Sequence, residues 1–229
     1  MGAVRNAITH GYNGDAFQRV IYSESHDEVA NGKARVTSEV DVNSAENWFA
    51  KKRSTLAAAL VFTAPGIPML FQGQEFLESG WFRDTVPLDW KLTRKHEGVV
   101  DLYRDLISLC LNKSGTTAGL CGHYVNVHHI NDQDKLIAFH RWEKGGPGDE
   151  VIVVANFSAQ PHHHYRIGLP HPGLWSLRMN SDWKGYSPDF QDFQSFDINA
   201  HAGDQDGYPN FGEFSIAPYS FLIFSQGTD

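Results

Sequence analysis

Arg19-Val20-Ile21-Tyr22-Ser23-Glu24-Ser25-His26-Asp27-Glu28-Val29 runs from a short apolar segment straight into a cluster of ionisable side chains. A buried parallel strand looks like this where it ends at a site, with β-branched residues along its length and acid and imidazole at its carboxyl tip. A second run of the same kind is Ile67-Pro68-Met69-Leu70-Phe71, bounded by Gly66 and Gly73, and its tip turns polar in Gln72-Gly73-Gln74-Glu75. Pro68 has no N–H for a ladder, so it fits only near the start of that strand. Between the two runs lies a polar loop, Ala30 to Asn43, and then a long helix. Asn43 or Ser44 is expected to cap it, with Glu46 in its first turn, where the helix dipole favours an anion. Phe49, Leu56, Leu60 and Thr63 recur at helical spacing, Lys51, Lys52 and Arg53 fall largely off that stripe, and Pro65-Gly66 ends the helix. Val99, Tyr103, Leu106, Ile107 and Cys110 mark a second helix, which ends near Lys113-Ser114-Gly115. Strand, helix, strand, helix over residues 18–113 predicts an α/β unit with functional groups at the strands' carboxyl ends.

Outward from this unit the texture changes. Residues 4–9 suit a short helix, and Gly11-Tyr12-Asn13-Gly14-Asp15 is turn-rich. After about residue 116, strands are expected at His123–Ile130, Lys135–Trp142, Val151–Phe157, His164–Ile167, Trp175–Asn180 and Glu213–Phe224. Turns such as Asn131-Asp132, Gly145-Gly146-Pro147-Gly148 and His171-Pro172-Gly173 join them, which predicts an antiparallel β-sandwich. Residues 181–212 are polar and aromatic without clear periodicity and read as a long loop. The expected architecture is α/β followed by all-β, divided into residues 1–115 and 116–229.

Composition excludes several classes. The 229 residues carry a formal charge of −8 and no Lys/Arg-rich block, so the basic face of a nucleic-acid binder is missing. No run approaches the roughly 20 apolar residues of a membrane span. Met1-Gly2-Ala3-Val4-Arg5 has no signal-peptide core, and a cytoplasmic location is expected. Six Trp and fifteen Phe suit thick β packing and also suit stacking on pyranose faces. Cys110 and Cys121 read as reduced, partly buried thiols. His162-His163-His164 would alternate faces on a strand and cannot converge on one ion, and Asp204-Gln205-Asp206-Gly207 lacks the glutamate of a calcium loop. No metal and no cofactor are expected.

Ser25-His26-Asp27-Glu28-Val29, with Gly32-Lys33 behind it, resembles the motif that closes the seventh barrel strand in the α-amylase superfamily of glycoside hydrolases and transglycosylases. Pro65 to Phe76 is similar to the eighth strand and following turn, and Pro87-Leu88-Asp89-Trp90 resembles a segment that 1,4-α-glucan branching enzymes carry before the last barrel helix. Val151 to Phe157, Tyr165 to Pro170 and Asn180-Ser181-Asp182 look like the family's C-terminal all-β domain. The resemblance spans roughly residues 18–225 and implies the last two βα units of a (β/α)₈ TIM barrel, then a C-terminal β-sandwich. A complete barrel needs eight strands and about 250 residues. The family's nucleophilic Asp and general-acid Glu sit on strands four and five, which have no counterpart here. The chain is therefore expected to be a C-terminal fragment, inactive by itself and completed by the remaining barrel strands of a parent chain.

The resemblance assigns Asp27 as the transition-state stabiliser, holding sugar hydroxyls while the two missing carboxylates do the chemistry about 5–5.5 Å apart. His26 would donate to a hydroxyl of the same sugar, buried beside carboxylates; the alternative is an ion pair inside a strand-end loop. Glu28, Lys33 and Arg35 are either acceptor-side glucan contacts or loop-ordering ion pairs. Trp81, in the long loop from Phe76 to Lys95, could stack on a glucan or pin its own loop. Glu75 reads as a structural residue of the barrel rim and Trp90 as packing. The expected partner is an α-1,4-glucan or maltooligosaccharide. Hydrolysis of the α-amylase type, or a non-catalytic glucan-binding module, stands as the alternative to branching.

Overall fold

A computed structural model describes residues 1–228. In chain order the helices are α1 (Gly2–Thr9), α2 (Val36–Val40), α3 (Trp48–Thr63), α4 (Leu92–Lys95) and α5 (Glu97–Cys110). The strands are β1 (Val20–Ile21), β2 (Ile67–Pro68), β3 (Tyr124–Asn131), β4 (Leu136–Trp142), β5 (Val151–Asn156), β6 (His162–Leu169), β7 (Gly173–Asn180), β8 (Ile198–Gln205), β9 (Tyr208–Ile216) and β10 (Ser220–Ser225). No helix among the described residues is long and apolar enough to cross a membrane.

β1 and β2 pair in parallel, Val20 with Ile67 and Ile21 with Pro68, and α3 crosses between them. The expected strand–helix–strand order is present, but both strands are short. Val20 and Ile67 are 51% and 47% exposed rather than buried, and of the apolar residues in these two strands Ile21 is the one packed against the core.

α3 begins later than expected. Asp41 ties up the candidates Asn43 and Ser44, accepting from both backbone N–H groups, and Asn47 becomes the cap by accepting from Ala50 N at 2.8 Å. Glu46 falls outside the helix, where it pairs with Lys95 and lies 3.6 Å from His96. The polar loop before it holds α2, missed because five residues are too few to show a period. α3 is also buried on almost every side, Lys51 and Lys52 included, while Phe49 is exposed. The apolar stripe gives the wrong face because α3 lies between α5 and the large sheet. Lys52 Nζ donates to Asp182 at 2.7 Å and lies over the Phe190 ring, and burial pulls its pKa below the usual lysine range against the pull of Asp182.

The strands after residue 123 form one continuous antiparallel sheet, ordered β3-β4-β5-β10-β7-β8-β9-β6, rather than a sandwich of two separate sheets. Its outer face (Ile137, Phe139, Val153, Phe221, Ile223) shares a core with Leu56, Phe62, Leu102, Tyr103 and Leu106 of the helices. Its inner face curls around Trp175, with Ile152, Val154, Ile167, Leu222 and Phe224. Register shifts at Ile223/Phe224 and Ala202/Gln205 mark where the sheet bends.

The expected loop 181–212 contains β8 and the start of β9. They meet at Asp206-Gly207, both at positive φ (52° and 80°), the two-residue hairpin turn whose backbone twist suits flanking strands. The single strand expected over Glu213–Phe224 is two strands, divided by Ala217-Pro218-Tyr219 with Ser220 Oγ donating to Ala217 O. His162-His163-His164 opens β6 with His164 at φ 50°. Cys110 and Cys121 are free thiols, half-buried and exposed; burial raises Cys110 to about 11, and Cys121 donates to the Cys110 carbonyl.

Candidate functional site at the tips of β1 and β2

Beyond β1 the chain leaves the strand, and burial decides what each residue can do: Tyr22 is exposed and Glu24 is buried. Glu24 points inward and is buried, its carboxylate accepting from Arg35 Nη1 at 3.1 Å and from Val36 N, the first amide of α2, at 2.8 Å. Burial pushes the Glu24 carboxyl above its usual range, and the Val36 amide and Arg35 charge work against that push. Arg35, equally buried, also donates to Gln72 O at 2.9 Å and lies over the Phe71 ring. One guanidinium therefore joins the tip of β1 to the tip of β2. A second link is Gln74 Nε2 to Ser23 Oγ at 2.8 Å.

With Glu24 anchored, Ser25–Val29 folds as a tight turn in which Ser25 O accepts from Glu28 N and Val29 N. His26 and Asp27 stand at its apex, Nε2 to Oδ1 3.2 Å apart, with side chains 70% and 82% exposed. The pair is held out into solvent instead of being buried among carboxylates. Glu28 and Lys33 are exposed too, and among the described residues neither enters an ion pair. Arg35, by contrast, orders the loop through Glu24.

The aromatic loop is stitched to the same turn by its backbone. Phe82 N donates to Val29 O at 2.6 Å, Arg35 N to Gly80 O at 2.8 Å, and Gly80 N to Ser38 Oγ at 2.9 Å. Trp81, 46% exposed under the Arg83 guanidinium, borders a cavity of about 620 Å³ with Gly32, Ala34, Val42 and Glu46. Glu75 accepts from Gly73 N and so braces the turn. Trp90 leans on Phe76 but stays exposed.

This arrangement gathers Asp27, His26 and Trp81 on loops fastened to one another. It offers a hydrogen-bond acceptor, a donor and a flat ring to a polar ligand. The carboxyl shifted toward neutrality, Glu24, is sealed beneath Arg35 and cannot reach one. Glu24 and Arg35 form a brace that the sequence does not announce, because Tyr22 is exposed and Glu24, two residues on, is buried.

The family model described as alpha amylase, C-terminal all-beta domain, matches residues 125–227. The chain is 32% identical over 168 residues to the 1,4-alpha-glucan branching enzyme GlgB of Trichodesmium erythraeum, covering 71% of this chain and 21% of that protein. The GlgB of Mesorhizobium japonicum is 31% identical over 186 residues, covering 79% and 24%. The chain thus spans about a quarter or less of the length of these relatives. Among solved structures, pullulanase type I from Bacillus subtilis complexed with maltose superposes on 99% of this chain and 31% of its own, at TM-score 0.64 and 18% identity. Pullulanase complexed with maltotetraose from Anoxybacillus sp. covers 98% and 30% at TM-score 0.61 and 19% identity, a likeness of fold. The curled antiparallel sheet matches an amylase-type C-terminal β domain, and the chain is similar to the C-terminal portion of branching enzymes of the α-amylase family.

Proposed function

We propose that this chain is the C-terminal part of a 1,4-α-glucan branching enzyme. In this reading residues 1–115 supply the last two βα units of a (β/α)₈ barrel, and residues 116–229 form the all-β domain docked beside it. The observation that carries it is the match to branching enzymes, which at 168 residues is longer than the all-β segment 125–227. The parallel pairing of β1 with β2 around α3 supports it as well.

Asp27 then accepts from hydroxyls of the sugar undergoing cleavage and His26 donates to one. Their exposed apex suits a wall completed by other strands. Glu28 and Lys33 contact the glucan on the acceptor side, and Trp81 stacks on it. The complete enzyme breaks an α-1,4 link through a covalent glycosyl intermediate and passes the chain to a 6-hydroxyl. The family's nucleophile and acid have no counterpart in these residues, so the 229-residue chain is expected to turn over no glucan.

The test is an assay of a full-length enzyme carrying this portion. Branching lowers iodine colour without new reducing ends, whereas accumulating reducing ends would establish hydrolysis instead. Asp27→Asn in that enzyme should cut kcat by about 10²-fold or more, the scale for losing one transition-state contact. Turnover by the isolated chain would overturn the assignment of roles.

A further inference from the structure

The open end of the curled sheet holds a group of polar side chains that the glucan site does not use. His140 near the end of β4 and Glu150 just before β5 are each only 5% exposed. His140 Nδ1 lies 3.0 Å from Tyr208 Oη, and its ring stacks on Trp142 at 4.5 Å. Its other nitrogen, Nε2, has no hydrogen-bond partner, and neither has Glu150 Oε2. Nε2 stands 3.6 Å from the Glu150 carboxylate, too far for a hydrogen bond, and His171 Nε2 lies 3.1 Å from the same carboxylate. The oxygen nearest His140 Nε2 is Glu150 Oε1, which already pairs with His171 Nε2 at 3.1 Å, so a buried imidazole nitrogen is left without a partner beside a carboxylate shared with a second imidazole.

We propose that His140, Glu150 and His171 form a site for a transition-metal ion of the zinc class. Adjacent ligands on a tetrahedral ion with bonds of about 2.0–2.1 Å stand roughly 3.3 Å apart, between the two separations found here. Imidazole and carboxylate are the donors such ions take. Tyr208 Oη, itself accepting from Asn126 Nδ2 at 3.0 Å, receives Nδ1–H and aims Nε2 at the ion. His171 lies on a turn whose backbone is tied down by Trp175 Nε1 to its carbonyl and by Gln226 Nε2 to Pro172 O. Its ring is half-exposed and held at the site by the Glu150 carboxylate alone. No three such side chains among the described residues already surround one point, so the ion draws His171 in to complete the set.

Calorimetric titration of the chelator-stripped 229-residue chain with Zn²⁺ tests the site. One ion per chain is expected, with Glu150→Gln and His171→Asn each weakening binding at least tenfold and Tyr208→Phe about tenfold. His171 is on an exposed turn, so His171→Asn should fold even if a change at His140 does not. A His163→Asn/His164→Asn variant should bind as before. Absence of binding, binding indifferent to His171→Asn, or binding lost only in the His163/His164 variant would each overturn the proposal.

Discussion

Lys52 carries an ammonium to a place from which water is excluded, and the Asp182 carboxylate, with the Phe190 ring, makes that tolerable. Asp182 is held in turn by the Phe193 amide at 2.9 Å, so one carboxylate fixes both α3 and the loop after β7. Taking one partner from such a pair leaves an uncompensated buried charge, at a cost of about 3–5 kcal/mol. Lys52→Ala should therefore lower the urea midpoint by that amount of stability, while Lys52→Met with Asp182→Leu should recover most of it. Equal losses in the single and double variants would show that the packing and not the charge pair matters. Arg35 and Glu24 follow the same logic at the other end of the helical layer, where they hold the glucan-facing turn in place. Charge counts in a sequence cannot reveal such pairs, because Lys52 and Asp182 are brought together only by folding.

At the scale of elements, α5 meets the loop after β7 at closer range than any side chain allows. A Cβ on Gly98 would come 2.3 Å from Gly185 O and 2.6 Å from Tyr186 O, and the contact continues in Tyr186 Oη donating to Asp105 at 2.6 Å. Gly98→Ala should push the loop off the helix and cost about 1–3 kcal/mol, the range for overpacking, seen as a lower urea midpoint. An unchanged midpoint would mean that the loop yields freely. α5, with its one-sided apolar period, and β4 and β5, as apolar runs buried on both faces and bounded by turns, stand close to where the sequence puts them. α3 was found but turned wrongly, since burial on all sides erases the period that would orient it. β8 escapes the sequence reading because Ile198 is the single β-branched residue in Ile198–Gln205, though Asp206-Gly207 announces its hairpin. At the site, His26 and Asp27 were found by local pattern, whereas the Glu24–Arg35 brace was not, because its partners come from three separate segments.

For the whole molecule, the helical layer and the outer face of the curled sheet share one hydrophobic core, so the two portions should unfold together. The sheet's inner core is closed at its open end by histidines held neutral, and this gives the fold a defined response to acid. Burial keeps His140 down to about 3 and His128 to about 4, against 6.5 for an ordinary imidazole. Below about pH 6.5 the unfolded chain takes up protons at both positions while the folded chain does not. The stability these groups contribute is fully present above that pH and is lost as pH falls toward the folded values. Each proton steepens the dependence by about 1.4 kcal/mol per pH unit. Urea midpoints in chelator, measured between about pH 6.5 and 4.5, should therefore fall steeply, and His140→Gln should remove roughly one proton from the slope. A flat profile in the unaltered chain would show that the open end admits water and protons as the exposed surface does. A steep profile that fluorescence and circular dichroism report as one transition would mean that protonation at the far end of the sheet also releases the layer carrying Asp27 and His26, which is the expected outcome of a shared core.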